Sequence, residues 1–188
     1  MASDSFFVCG KIVLMKIKTL TLKPIPNFSR EIGLFLASLE KIRSEWREAV
    51  KNLSKSELAA KILPEIQPIG TIIIHIAEAE YFWIQEIVSG NPMTDEIKEL
   101  LHHDLWFKDF AAEDLDIEYC LEVVEKIHQM TRETLATFTD EDLEKTFVRT
   151  REDSETHYSL RWIFVHLLQH DAEHQGQMMM IKRLMKSQ

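Results

Sequence analysis

The stretch Ile69–Val88 reads IGTIIIHIAEAEYFWIQEIV. It has helical length and carries apolar residues on more than one side, so a single inward face does not account for it. A helix of this kind needs neighbours around it, and the rest of the chain has to supply them.

Before it, Ile32, Phe35, Leu36, Leu39, Ile42, Trp46, Val50 and Leu53 recur at three- and four-residue steps. They mark one face of a long amphipathic helix within Asn27–Leu53. SKSE, Ser54–Glu57, is a capping box opening a short helix that Pro64 and Pro68 end. SGNP closes the apolar helix, and TDEIKELLHH from Thr94 reads as a short helical excursion. Asp116–Phe138 gives a third long helix with Cys120, Val124, Ile127, Leu135 and Phe138 inward. The polar stretch Thr139–Ser159 follows, and Ser159 caps a last long helix from Leu160 to about Met185. Four long helices predict an all-α fold, a mainly antiparallel four-helix bundle with short connecting helices. β-branched residues in KTLTLK and KTFVRT leave room for short strand pairing there.

The 188 residues suffice for one domain with a real core. Only five Gly and five Pro argue against a loop-rich β fold, and a net charge of −9 argues against non-specific nucleic-acid binding. Two cysteines make no disulfide framework, and nothing reads as a signal peptide or a spanning segment. The expectation is a cytoplasmic protein without nucleic-acid or membrane partners. Residues 1–25 read as an N-terminal extension without an assigned role, Cys9 included, and residues 26–188 as the bundle. The apolar run Phe6–Met15 is too short to span a bilayer, and Met15 is an alternative start.

HLLQHDAEHQGQ, His166–Gln177, puts three histidines four residues apart. His170 and His174 can hold one ion between them, since residues four apart lie about 40° apart around a helix. His166 lies a further turn away, and the outer two sit roughly 12 Å apart along the axis. A third ligand therefore has to come from another helix, and His75 is the best candidate. A lone imidazole among Ile72, Ile73, Ile74 and Ile76 needs partners for its ring nitrogens. The alternative is a hydrogen-bonded core histidine beside a chance pair, and the spacing alone does not choose between them.

IGTIIIHIAEAEYFW and LRWIFVHLLQHDAEHQGQ together resemble the two signature segments of the DinB/YfiT-like family, over most of the chain from about Pro26. That resemblance implies a four-helix bundle, often metal-dependent, with one histidine from the second helix and two from the last: His75, His170 and His174. Gln175 stands where the family commonly has arginine, which puts any anionic substrate contact at that position in doubt. His166 matches a frequent family histidine that supports the site or packs beside it. Gly176 disfavours a helix interior and suggests close approach of a neighbouring helix.

A divalent ion on three imidazoles keeps a position open, whereas structural zinc sites are closed by four protein ligands. Two enzymatic readings follow: a hydrolase, or a transferase for a low-molecular-weight thiol. The second is implied by relatives that include thiol-dependent S-transferases and a thiol-dependent isomerase. Zinc or nickel suits imidazole ligands. The alternative is a metal-binding stress or interaction protein without turnover. Glu78 and Glu80 are read either as groups orienting a ligand or accepting a proton, or as solvated helix charges. Glu173 is read as solvent-exposed or paired with a cation, His102 and His103 as surface residues, Trp106 and Phe107 as covering the bundle's end, and His128 and His157 as lacking visible partners. The methionine-rich QMMMIKRLM reads as core or as a homodimer surface.

Overall fold

The computed structural model describes residues 7–8, 11–12, 17–103 and 115–187. The readings of Cys9, Met15, Trp106 and Phe107 lie outside the described residues.

Four long helices form as the periodicity requires. They are α1 (Arg30–Val50), α3 (Ile69–Tyr81, continuing as a π-helix over Phe82–Val88), α5 (Ile117–Leu135) and α6 (Leu160–Met185). The short helices α2 (Lys55–Leu58) and α4 (Asp95–Leu100) lie in the connections. Ser54 and Glu57 form the expected capping box, and the Ser159 hydroxyl accepts from the Trp162 N–H at 3.2 Å. The cap of α1 comes from far away in sequence. Asp140 Oδ1 accepts from the Glu31 N–H at 2.9 Å, a bond across 109 positions.

The all-α expectation needs a correction. Thr146–Arg151 (β3) and Ser154–Ser159 (β4) pair antiparallel as a hairpin just before α6. KTFVRT supplies one strand. KTLTLK has no strand assignment, and a two-residue pair joins Phe7–Val8 (β1) to Lys11–Ile12 (β2) instead.

The helix directions also differ from a mainly antiparallel bundle. Ion pairs and hydrogen bonds run from Glu31 to Arg161, Arg43 to Asp171 and Glu45 to Gln175, so α1 and α6 are parallel. Glu80 meets His128 and Gln85 meets Thr134, so α3 and α5 are parallel too. Arg47 meets Glu125 while Glu40 meets Arg132, which makes α1 and α5 antiparallel. His75 meets His170 while Trp83 meets Trp162, which makes α3 and α6 antiparallel. Parallel neighbours cannot be joined by a tight turn. The connection over residues 89–116 is long enough to carry the chain back along the bundle between α3 and α5.

Two apolar clusters fill the interior. One contains Trp46, Val50, Ile69, Ile72, Ile76, Val124, Ile127 and Met178. The other contains Ile32, Phe35, Leu36, Leu39, Trp83, Ile84, Leu160 and Phe164. The buried polar residues Arg43, Glu80, His128 and Asp171 belong to neither cluster.

Gly33 marks where the segment before α1 folds back on the helix. The Ile25 N–H donates to the Gly33 carbonyl at 3.1 Å, and an added Cβ would stand 2.9 Å from the Ile25 carbonyl oxygen. Gly33→Ala is expected to destabilise by about 1–3 kcal/mol through this overlap, although alanine is the better helix former. The shift of a urea unfolding midpoint measures it.

Candidate metal centre

The structure brings His75, His170 and His174 together in the groove between α3 and α6. His170 Nε2 lies 3.2 Å from His75 Nε2 and 3.2 Å from His174 Nε2. One ligand atom from each of the three falls within 4.8 Å of the other two. Among the described residues no further His, Cys, Asp or Glu joins this group.

The other ring nitrogens decide which atoms carry lone pairs. His174 Nδ1 is 2.8 Å from Gln177 Oε1, an acceptor, so Nδ1 donates and Nε2 is left bare in the neutral ring. His75 Nδ1 faces the Glu78 carboxylate at 3.6 Å, which favours the same tautomer. Two lone pairs thus face His170 Nε2, and one N–H there can satisfy only one of them. Moving the His170 proton to Nδ1 does not help, because Nδ1 is buried without a hydrogen-bond partner. A cation among the three nitrogens satisfies all of them at once, so the donor set fits a divalent ion.

Electrostatics keeps the nitrogens ready. Burial, with His174 and His75 nearby, pushes His170 down to about 3. Burial also lowers His174, although Gln177 opposes it. Both rings are neutral near pH 7, the state in which imidazole binds metal. Glu78 is held below its ordinary value because its bonds to His75 and His103 outweigh burial. Its Oε1 lies 2.6 Å from His103 Nδ1.

Next to this centre lies a buried charged network. Arg43 on α1 donates from Nε to Asp171 at 2.7 Å and from Nη1 to Glu80 at 2.6 Å. His128 Nδ1 is 3.0 Å from the other Glu80 oxygen. Glu80 and Asp171 are both 0% exposed. Against burial, Arg43 and His128 hold Glu80 down to about 2, whereas burial prevails at Asp171 and pushes it up. One guanidinium therefore fastens α1 to α3 and to α6, one residue from His170.

Several sequence readings change. Glu80 is no solvated charge, while Glu78 sits where it can orient His75. His128 has partners, and exposed His157 pairs with Glu155 at 2.7 Å. Glu173 is exposed and accepts from Gln169 rather than from a cation. His102 and His103 are exposed as expected. Met178 is core and Met180 exposed. Gln175 donates to Glu45 at 3.2 Å. A Cβ added at Gly176 would meet nothing within 4 Å, so among the described residues no neighbouring helix approaches it. Gly176→Ala is accordingly expected to stabilise by up to about 1 kcal/mol through helix propensity alone, read as a raised melting temperature.

Sequence reasoning missed Arg43, Asp171 and Gln177. The signal for the first two was present. Arg43 falls in the inward series 32, 36, 39, 43, 46, 50, and Asp171 in the series 167, 171, 174, 178. Opposite charges at inward positions of two helices imply a buried pair.

The sequence profile of the mycothiol-S-transferase family matches residues 34–186. The chain belongs to this family. The DinB/YfiT-like resemblance of the two histidine-bearing segments agrees with that membership and with two solved structures of similar fold. A conserved protein from Enterococcus faecalis superposes with a TM-score of 0.65 at 15% identity, covering 82% of this chain and 96% of that one. YfiT from Bacillus subtilis, described as a probable metal-dependent hydrolase with an unusual four-helix bundle topology, superposes at 0.62 with 17% identity over 87% and 93%. These likenesses show the fold. No curated protein matches the chain. Among the described residues no helix of this mycothiol-S-transferase family member is long and apolar enough to cross a membrane.

Proposed function

We propose that this protein binds a divalent cation, zinc or nickel, at His75, His170 and His174, and transfers a low-molecular-weight thiol to an electrophile. The convergence of three imidazole nitrogens with no fourth protein ligand among the described residues carries the reading. Membership in the mycothiol-S-transferase family supports the thiol as the nucleophile in place of water. A divalent cation with an open position supplies Lewis-acid chemistry that lowers the proton affinity of a coordinated thiol.

The chain's own residues do the rest. Gln177 fixes the His174 ring, and the Glu78 carboxylate 3.6 Å from His75 Nδ1 favours the His75 tautomer with a bare Nε2. The Arg43 bonds to Glu80 and Asp171 keep α3 and α6 in register, which holds His75 opposite His170. Partial burial limits competing water around the nitrogens. A small reduced thiol as substrate also fits a reducing, cytoplasmic setting.

The test is metal analysis of protein purified without added metal, followed by thiol titration of the zinc- or nickel-loaded form. Thiol binding is expected to require metal and to strengthen as pH rises, because thiolate is the ligand. Wild type that retains no ion, or binds thiol no better loaded than metal-free, overturns the proposal.

A further inference from the structure

The groove that holds the three histidines continues into an aromatic wall. On α3, His75, Ala79 and Trp83 follow at four-residue spacing, and on α6 Trp162, His166, His170 and His174 do the same. Because α3 and α6 are antiparallel, both rows run from the histidines towards the β3–β4 hairpin. His166 stacks on Trp162, 12° from parallel with centroids 4.9 Å apart. Trp83 meets His166 edge-on at 5.1 Å and Trp162 at 5.5 Å. Tyr158 of the hairpin closes the far end against both tryptophans, at 4.9 Å and 4.7 Å. The wall adjoins the histidine trio, with the His166 and His170 ring centroids 6.1 Å apart.

Anchoring the hairpin accounts for Tyr158 and the buried Trp83. It does not account for Trp162, which remains 45% exposed, nor for the neighbouring Val165 at 58%. Large apolar side chains left in water beside a reactive centre are what a ligand covers. Trp83 also lies within the π-helical turn, a distortion frequent at functional sites.

We infer that this aromatic wall binds a planar, electron-poor aromatic ring carried by the electrophile that receives the thiol. The inference rests on the proposed thiol transfer. Indole faces are electron-rich and stack best on electron-poor rings. The wall begins one helical turn, about 5.4 Å, from His170, so the electrophilic carbon belongs on the ring itself or one bond from it. In the reaction, the thiol sulfur bonds to that carbon. The carbon–halogen bond of an aryl halide breaks with its electron pair leaving on the halide, and the thiol proton passes to solvent.

The first experiment uses metal-free full-length protein and the unreactive probe 1,3-dinitrobenzene. Saturable binding is expected, with shifts of the His166 ring resonances and none at His157. Trp162→Ala should weaken it at least fivefold, and Trp162→Phe should stay within about twofold, in line with aromatic stacking. Circular dichroism checks that each variant is folded. Absence of saturable binding, or equal binding by Trp162→Ala, overturns the inference. In the zinc-loaded enzyme with thiol, KM for 1-chloro-2,4-dinitrobenzene should rise at least fivefold in Trp162→Ala, and an unchanged KM overturns it. The probe measurement needs neither metal nor thiol, so its failure is separable from a failure of thiol transfer.

Discussion

His170→Ala is expected to lower affinity for zinc or nickel by more than about a hundredfold while leaving the metal-free protein within about 1 kcal/mol of wild type. The first half follows from the position of His170 between the other two nitrogens. Loss of a residue that merely orients a ligand costs about 10–100-fold, and loss of the central ligand costs more. The second half follows from the same crowding. In the metal-free protein His170 is pushed down to about 3, its Nδ1 is buried without a partner, and its Nε2 faces two lone pairs. Removing the ring forfeits two 3.2 Å contacts and also relieves this unfavourable packing of acceptors. Calorimetric zinc titration beside urea unfolding of the metal-free proteins measures both. A large loss of metal-free stability would mean that the trio exists to hold the fold.

Arg43→Met is expected to destabilise the protein by about 3–5 kcal/mol, because it leaves buried Asp171 without its cation and Glu80 with His128 alone. Adding Glu80→Gln and Asp171→Asn to the same chain should recover part of that loss, since neutral amides cost less to bury. Chemical unfolding of the single and triple variants gives the comparison. Glu80 also sets an acid limb. Its folded value of about 2 lies below the ordinary 4.5. Its contribution is therefore complete above pH 4.5 and disappears as pH falls from there through 2. Glu80→Gln should show a flatter stability profile across that window than wild type does. An identical slope would mean that other carboxylates govern acid unfolding.

Most of the helical content was legible because each helix signals itself locally. Period, the Ser54–Glu57 box and the Ser159 cap all lie within a few residues of what they specify. Direction is not local. Whether α5 runs with α3 or against it is decided by distant pairs such as Glu80 with His128, which no window of sequence contains. The cap of α1 by Asp140 is hidden for the same reason. At the centre, histidines four apart on one helix were legible as a pair. That His75 meets them depends on α3 and α6 being neighbours, and the resemblance supplied that adjacency. Arg43 and Asp171 were passed over because charged residues in an amphipathic series are normally read as surface. Gly176 shows the opposite failure, a residue with a meaning inferred from propensity where the space around it is empty.

The wide turn at Phe82–Val88 bears on how this chain tolerates changes in length. Hydrogen bonds that reach five residues back enclose one residue more than an α turn does. Loss of a single codon there would let the backbone tighten to ordinary α geometry, with Ile69–Tyr81 and the segment after Val88 keeping their seats. The same loss within α6 would rotate everything beyond it by about 100° and carry His170 or His174 out of the groove. The segment beside the aromatic wall is thus the place where an indel is absorbed, and the wall's own shape, through the heading of Trp83, is what such an event would change.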